Sequence, residues 1–411
     1  MSDDTTVAPP RPARRLSQPE FVAMLAFVFA VVAFSIDSML PSLPQIAAEL
    51  VPQDVNRAQL VLTAFMVGLS AGTLGAGPLS DALGRKPVIV VGFAIYIAGA
   101  ALAIVAPTLE TLLLARVVQG FGAAAPRITV QALLRDLYEG RQMARLMSFV
   151  NILFILVPAA APSLGQAIIS VTGWRGIFGA FVVFGVIASA WISLRQPETL
   201  PRRLRQPLRP RPLIAAAREA LGDRDVLICT ATVGLGFGQM FALLSSAQQI
   251  FVDSYGRSPE HFPLWFAFMA LLSSAGMIAN ARLVLRVGMR RMAQGAYAAQ
   301  VLSSGLFLGA LLADAIPPAA AFPLFFVWAT GLFMMAGVTF GNLNALALQH
   351  MGHIAGTTAS VVAALSTFGA MAIAAPVGLL FDGTPVPAVA AALICSALAY
   401  LLMRGLSPRT A

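Results

Sequence analysis

The chain of 411 residues is 58% hydrophobic and 11% charged, with a mean hydropathy of +0.81, whereas soluble domains carry roughly 25% charged residues. That composition excludes a water-soluble fold. The net charge of +9 rests mainly on arginines in short stretches between apolar runs, a pattern that marks membrane topology rather than nucleic-acid binding.

At the N-terminus, Arg11, Arg14 and Arg15 precede "FVAMLAFVFAVVAFSIDSML". This run is longer than a secretion signal's, contains Asp37 and has no small-residue cleavage site behind it, so it reads as an uncleaved first span. Apolar runs of about 20 residues, each able to cross a roughly 30 Å hydrocarbon layer as a helix, then recur along the chain. Breakers and hydropathy place spans at 22–42, 57–78, 88–106, 109–131, 146–170 and 175–194, and a second set at 225–251, 262–284, 290–313, 318–341, 354–380 and 386–404. The expectation is an all-α membrane protein with twelve transmembrane helices in two pseudo-symmetric six-helix halves. Residues 1–21 form an N-terminal tail, 22–194 the first half, 195–224 an Arg/Pro-rich linker, 225–404 the second half and 405–411 a C-terminal tail. Alternate connections carry Arg85 and Lys86, then Arg135, Arg141 and Arg145, then the linker arginines, then Arg286, Arg290 and Arg291. These connections are expected in the cytoplasm with both termini.

In the first span Asp37 lies about 15 residues in, roughly 22 Å from the cytoplasmic side. After the second span, "GPLSDALGRKP" packs Gly77, Asp81, Gly84, Arg85 and Lys86 into a tight turn. Gly84 allows a backbone sign change. Asp81 at a helix end and Arg85 and Lys86 at a helix start oppose the helix dipoles, so partners must hold them, with Asp136, Arg135 and Arg145 as candidates. "RVGMRRM" after the eighth span echoes "ALGRKPV" here, as expected of a duplicated transporter with its site between the halves.

In the fourth span Arg116 is about seven residues from the outer end, roughly 10 Å deep, which sets it at the level of Asp37. Both charges are costly in lipid and are expected to face a central cavity, bonded directly or through water. Desolvation and a nearby cation pull a carboxyl's protonation in opposite directions, as a proton-exchange site requires; a permanent structural ion pair is the competing reading. Gln119 is one turn on. Arg127, three turns from Arg116 on the same face, is expected to snorkel to the cytoplasm. Pro158, Pro162 and Gly165 are expected to bend the fifth span, as a packing kink or a hinge. In the second half, Gln239, Gln248, Gln249, Asn342 and Asn344 either bind substrate or join helices. His350 and His353 fall in a connection, and Cys229 and Cys395 lie in apolar runs, so neither a metal nor a cofactor is expected.

"GPLSDALGRK" resembles the signature loop of the major facilitator superfamily, and "LLLARVVQGFGAAA" resembles the Arg-x-x-Gln-Gly motif of its fourth helix. More narrowly, "SIDSMLPSLPQIAAEL", "QALLRDLYEGRQMARLMS" and "NALALQHMGHIAGTTASVVAAL" are similar to the Bcr/CflA drug:proton antiporters, the bicyclomycin and chloramphenicol resistance subfamily. Two positions depart: Ala82 stands where a basic residue is common, and Gln166 replaces a frequent glycine in "VPAAAPSLGQ". The resemblance implies a proton-coupled exporter of amphipathic small molecules in the inner membrane, monomeric, with the lipid bilayer, protons and substrate as its partners. Asp37 and Arg116 are the expected proton-coupling pair. Asp37, Arg116, Gln119, Gln239, Asn342 and Asn344 are the expected cavity, and Gly77, Asp81, Gly84, Arg85, Lys86 and Asp136 the cytoplasmic gate. Proton-coupled uptake is the alternative. An intramembrane enzyme is remote, because neither His-Glu-x-x-His nor Gly-x-Ser-x-Gly occurs.

Overall fold

The computed structural model describes residues 16–138 and 140–407, so Arg11, Arg14 and Arg15 lie outside the described residues. Regular structure among these is helical. The chain runs through α1 (Gln18–Asp37), α2 (Leu43–Leu50), α3 (Leu60–Leu83), α4 (Arg85–Ile104), α5 (Leu109–Leu137), α6 (Gly140–Arg195) and α7 (Pro210–Gly222). It continues through α8 (Arg224–Gln249), α9 (Phe262–Val287), α10 (Met289–Leu312), α11 (Pro318–Leu348), α12 (Ala355–Leu379) and α13 (Val386–Arg404).

Among the described residues, ten segments are long and apolar enough to cross a membrane. α5 crosses as well, although Arg116, Gln119 and Arg127 dilute its apolar character. α6 holds two crossings, joined where Gly173 leaves the helical region with φ 68° and ψ −178°. Next to that break Arg175 reaches Glu49 at the far end of the first span, while Arg195 returns to Glu20 at its beginning. Twelve crossings result. Pro158 and Pro162 lie within the fifth crossing, where the backbone stays helical, and the chain leaves the helix at Gly173, between the fifth and sixth crossings. The linker is not featureless, since α7 occupies much of it.

Local chemistry sets the boundaries. Ser17 caps α1, Thr108 and Thr111 form a reciprocal capping box on α5, and Asp223 accepts from the Val226 amide at the start of α8. The sequence echo between halves has a backbone counterpart: Gly84 (φ 105°, ψ 159°) and Gly288 (φ 88°, ψ 148°) end the second helix of each half and start the third in the same conformation. Only glycine adopts it without strain. Two residues after each glycine, a basic side chain caps the last helix of its own half. Lys86 Nζ donates to the Ser193 carbonyl, and Arg290 donates to the carbonyls of Met403 and Ser407. First and last helices are also tied in parallel fashion, by Arg195 to Glu20 and by Ser407 to Asp225.

Without water to squeeze out, helices in lipid associate by close packing. α5 sits against α3 at Gly68 and Gly120, where an added Cβ would overlap the carbonyl oxygens of Val117 and Phe65. Gly68→Ala and Gly120→Ala are therefore expected to lower stability by about 3 kcal/mol, despite alanine's higher helix propensity. Gly309→Ala, whose Cβ meets nothing within 4 Å, is the control. Thermal unfolding in detergent checks this; equal melting temperatures for all three variants would contradict the packing assignment.

Candidate functional site

Three polar assemblies stand out, one at each end of the bundle and one in its middle. At the Gly84 end, Arg85 is the hub. Its Nε donates to Asp136 Oδ2 at 2.9 Å, and its Nη1 to Asp81 Oδ1 at 2.5 Å and Ser80 Oγ at 2.7 Å. The awkward placement of Arg85 and Lys86 at a helix start is resolved by Glu198, which accepts both their amides at 3.0 and 3.2 Å. A carboxylate there satisfies orphan donors and the positive end of the dipole. Thr199 joins Asp136, the Gln206 amide donates to the Asp81 carbonyl, and Arg205 lies 3.9 Å from Glu198. The linker thus braces the loop. Gly77 faces α12, with Ser360 Oγ 3.6 Å from where its Cβ would be. Arg135 bonds to the Gln131 carbonyl rather than joining the hub, and the Arg145 side chain lies outside those described.

At mid-depth, Arg116 is fully buried. It donates to the Val61 carbonyl at 3.2 Å, Gln119 Oε1 at 2.7 Å and the Ser35 carbonyl at 3.0 Å, with its guanidinium 4.4 Å from the Phe65 ring centre. Ser35 lies in the last turn of α1, where carbonyls lose their helical partners. Arg116 therefore caps a break in the first span. Ser35 Oγ meets the Tyr96 hydroxyl at 2.6 Å. Beyond the break the chain makes a 3-10 turn (Leu40–Ser42) and resumes as α2.

Asp37 is the final residue of α1, 7% exposed, with no hydrogen bond or ion pair to any described residue. Asp37 and Arg116 are not bonded directly: the guanidinium spends its donors on carbonyls and Gln119, one of those carbonyls being that of Ser35, two residues before Asp37. Enclosed as they are, Arg116 and Gln119 do not line an open cavity in this conformation. Gly165 packs on Ser38, where a Cβ would strike the Ser38 carbonyl, so its described role is close approach beside Asp37.

The second-half amides do not converge. Gln239 accepts from Ser396 at 2.9 Å, joining α8 to α13, and leaves its Nε2 unbonded. Asn342 donates to Asn280 at 2.7 Å, joining α11 to α9, and Asn344 donates to the Phe340 carbonyl of its own helix. His353 is exposed and bonds Glu219 of α7 at 2.7 Å.

The third assembly, unforeseen in the sequence, ties the halves at the Gln59 end. Asn56 donates to the carbonyls of Leu379 (3.2 Å) and Phe381 (2.8 Å) and accepts from Gln249; Gln59 donates to Gln249 and accepts from Ser246. Polar residues just before an apolar run were the only available signal.

Two six-helix halves, buried polar groups between helices and ionic hardware at one end define a multi-pass membrane transporter rather than an enzyme. Residues 25–376 match the Major Facilitator Superfamily profile, and the chain belongs to that family. It is 32% identical to a bicyclomycin resistance protein homolog of Haemophilus influenzae, over 83% of this chain and 84% of that protein. It is 31% identical to a chloramphenicol resistance protein of Pseudomonas aeruginosa, over 66% of this chain and 63% of that protein. A crystal structure of a D-xylose–proton symporter superposes with a TM-score of 0.74 at 15% identity, covering 95% of this chain and 98% of that one, a likeness of fold.

Replacing Arg116 by Met removes the donors from two buried carbonyls and an amide. The expected loss is about 3 kcal/mol, seen as a lower melting temperature and faster proteolysis after residue 38. Unchanged stability would show that the break in the first span does not depend on Arg116.

Proposed function

We propose that this transporter exports amphipathic small molecules across the cell inner membrane in exchange for protons, with both termini in the cytoplasm. The resistance named for its relatives supports the drug class, and the arginine distribution between spans supports the orientation.

The observation that carries the coupling is Asp37: an ionisable group inside a span, at a helix break, with no partner of its own. Intramembrane charges are expensive and mark ion or substrate pathways, and helix breaks are where transporters build sites. A proton or a cationic solute would supply the compensation that the protein withholds. Arg116 acts on Asp37 as a positioning residue, by holding the Ser35 carbonyl two residues earlier. With the halves joined at the Gln59 end, the conformation corresponds to a cavity closed from outside. The opposite half-cycle requires those amide bonds to part and the cytoplasmic ends of the halves to meet, with the Arg85 hub, already assembled within the first half and the linker, holding the loop at that face.

In proteoliposomes containing a pH dye, chloramphenicol added to the wild type is expected to release protons, whereas Asp37→Asn releases none while keeping its melting temperature. Full exchange by Asp37→Asn would remove Asp37 from the coupling role. Accumulation of drug along an inward proton gradient would reassign the protein to uptake.

Gly84→Ala forces a Cβ into a positive-φ position and against Glu198 and Arg205. Transport is expected to fall about tenfold or more, with drug affinity changed less than twofold, since the loop is remote from Asp37. Parallel measurements of transport rate and equilibrium binding check this; a matching loss in both would contradict a gating role.

A further inference from the structure

We propose that Arg127 is an oxyanion-binding residue of the space between the helices, and that transported solutes include amphipathic molecules bearing a carboxylate or phosphonate. The idea rests on the export reading for its cavity and names a substrate class for it.

Other described arginines inside the bundle or at its ends are committed. Arg85 holds Asp81 and Asp136, Arg116 holds two carbonyls and Gln119, Arg175 holds Glu49, and Arg290 holds the carbonyls at the end of α13. Arg127 makes no hydrogen bond or ion pair with any described residue. It follows Arg116 by eleven residues, three turns with an offset of roughly 20°. Ala123, Val130 and Leu134 on that same line are buried, while Leu114 and Phe121 on the opposite face are 66% and 47% exposed. The side chain therefore leaves α5 on its inward face, away from lipid, and is only partly exposed. Ten residues separate it from the helix end at Leu137, roughly 15 Å along the axis, so the side chain starts well inside the bundle.

A guanidinium has five donors and no acceptor, and its planar fork fits a carboxylate or phosphonate through two parallel bonds. An unpaired interior cation is a standing electrostatic demand. Arg116 cannot meet an anionic solute, being enclosed with its donors taken, whereas Arg127 offers a guanidinium with no partner among the described residues. Asp37 lies near Arg116 in depth, roughly 16 Å further along the bundle, so an anion on Arg127 would not contact the acid. The same oxyanion chemistry is offered by a phospholipid headgroup, and the test separates the two.

Binding of 1-naphthoate and its neutral isostere 1-naphthamide to the full chain in detergent would be measured by calorimetry. The wild type is expected to prefer naphthoate by about tenfold or more. Arg127→Gln is expected to abolish the preference, and Arg127→Lys to keep part of it, since charge survives without the fork. Equal binding of the two probes to the wild type, or a preference that survives Arg127→Gln, would overturn the proposal. In nanodiscs, stabilisation by phosphatidylglycerol that requires Arg127, without naphthoate binding, would assign the site to a headgroup and overturn the substrate reading. Binding is scored without transport: lost drug/proton exchange with the naphthoate preference intact would sink the export reading and leave this site standing.

Discussion

A guanidinium carried into the middle of an apolar bundle has no water to bond, so its donors must end on acceptors supplied by the protein. Arg116 meets that requirement by taking a carbonyl from the last turn of α1, another from the first turn of α3 and the side chain of Gln119 on its own helix. Three helices are fixed by one side chain. The bond to Ser35 also makes the interruption of the first span tolerable, since a carbonyl released at membrane depth would otherwise be unsatisfied. Asp37 sits at that interruption because Arg116 permits one. The ring of Phe65 beneath the guanidinium completes the desolvated cradle.

How much of this was visible in the sequence depends on whether the physics is local. Span positions follow from runs of apolar residues, and the Gly84 and Gly288 turns follow from glycine beside basic residues. The pairing of Arg85 with Asp136 was open to inspection, because two opposite charges at one membrane face have few alternatives. Depth suggested that Asp37 and Arg116 share a level but not how they relate, since a backbone carbonyl has no residue signature and Arg116 chose carbonyls. Glu198 was hidden in a proline-rich stretch that reads as a spacer. Asn56, Gln59 and Gln249 meet across nearly 200 positions, and neutral amides announce no partner. The break at Gly173 falls in the connection between the fifth and sixth spans, where positive φ at glycine lets the chain reverse.

The two halves repeat a closure rule more faithfully than they repeat residues. In each, a glycine with positive φ turns the second helix into the third, a cation two positions later caps the final helix, and an acidic residue at the start of the first helix grips that final helix again. Lysine does the capping once and arginine once; glutamate grips an arginine in one half, while aspartate grips a serine in the other. What the duplication preserved is the need to satisfy the terminal carbonyls of a helix facing a membrane surface. Interior charges were not preserved, since Asp37, Arg116 and Arg127 all belong to the first half.

The seal at the Gln59 end is built from neutral amides, a serine and carbonyls, whereas the hub at the Gly84 end is ionic. Dissolved salt screens charges lying more than about 10 Å apart at 0.1 M and acts less on partly buried contact pairs, protonation removes a carboxylate's charge, and neither acts on an amide–amide bond. In the orientation proposed above, the side bathed by a medium of changeable acidity and salinity carries the fastening between the halves, and that fastening ignores both. On that orientation, the outer seal is insulated from changes of acid and salt outside the cell.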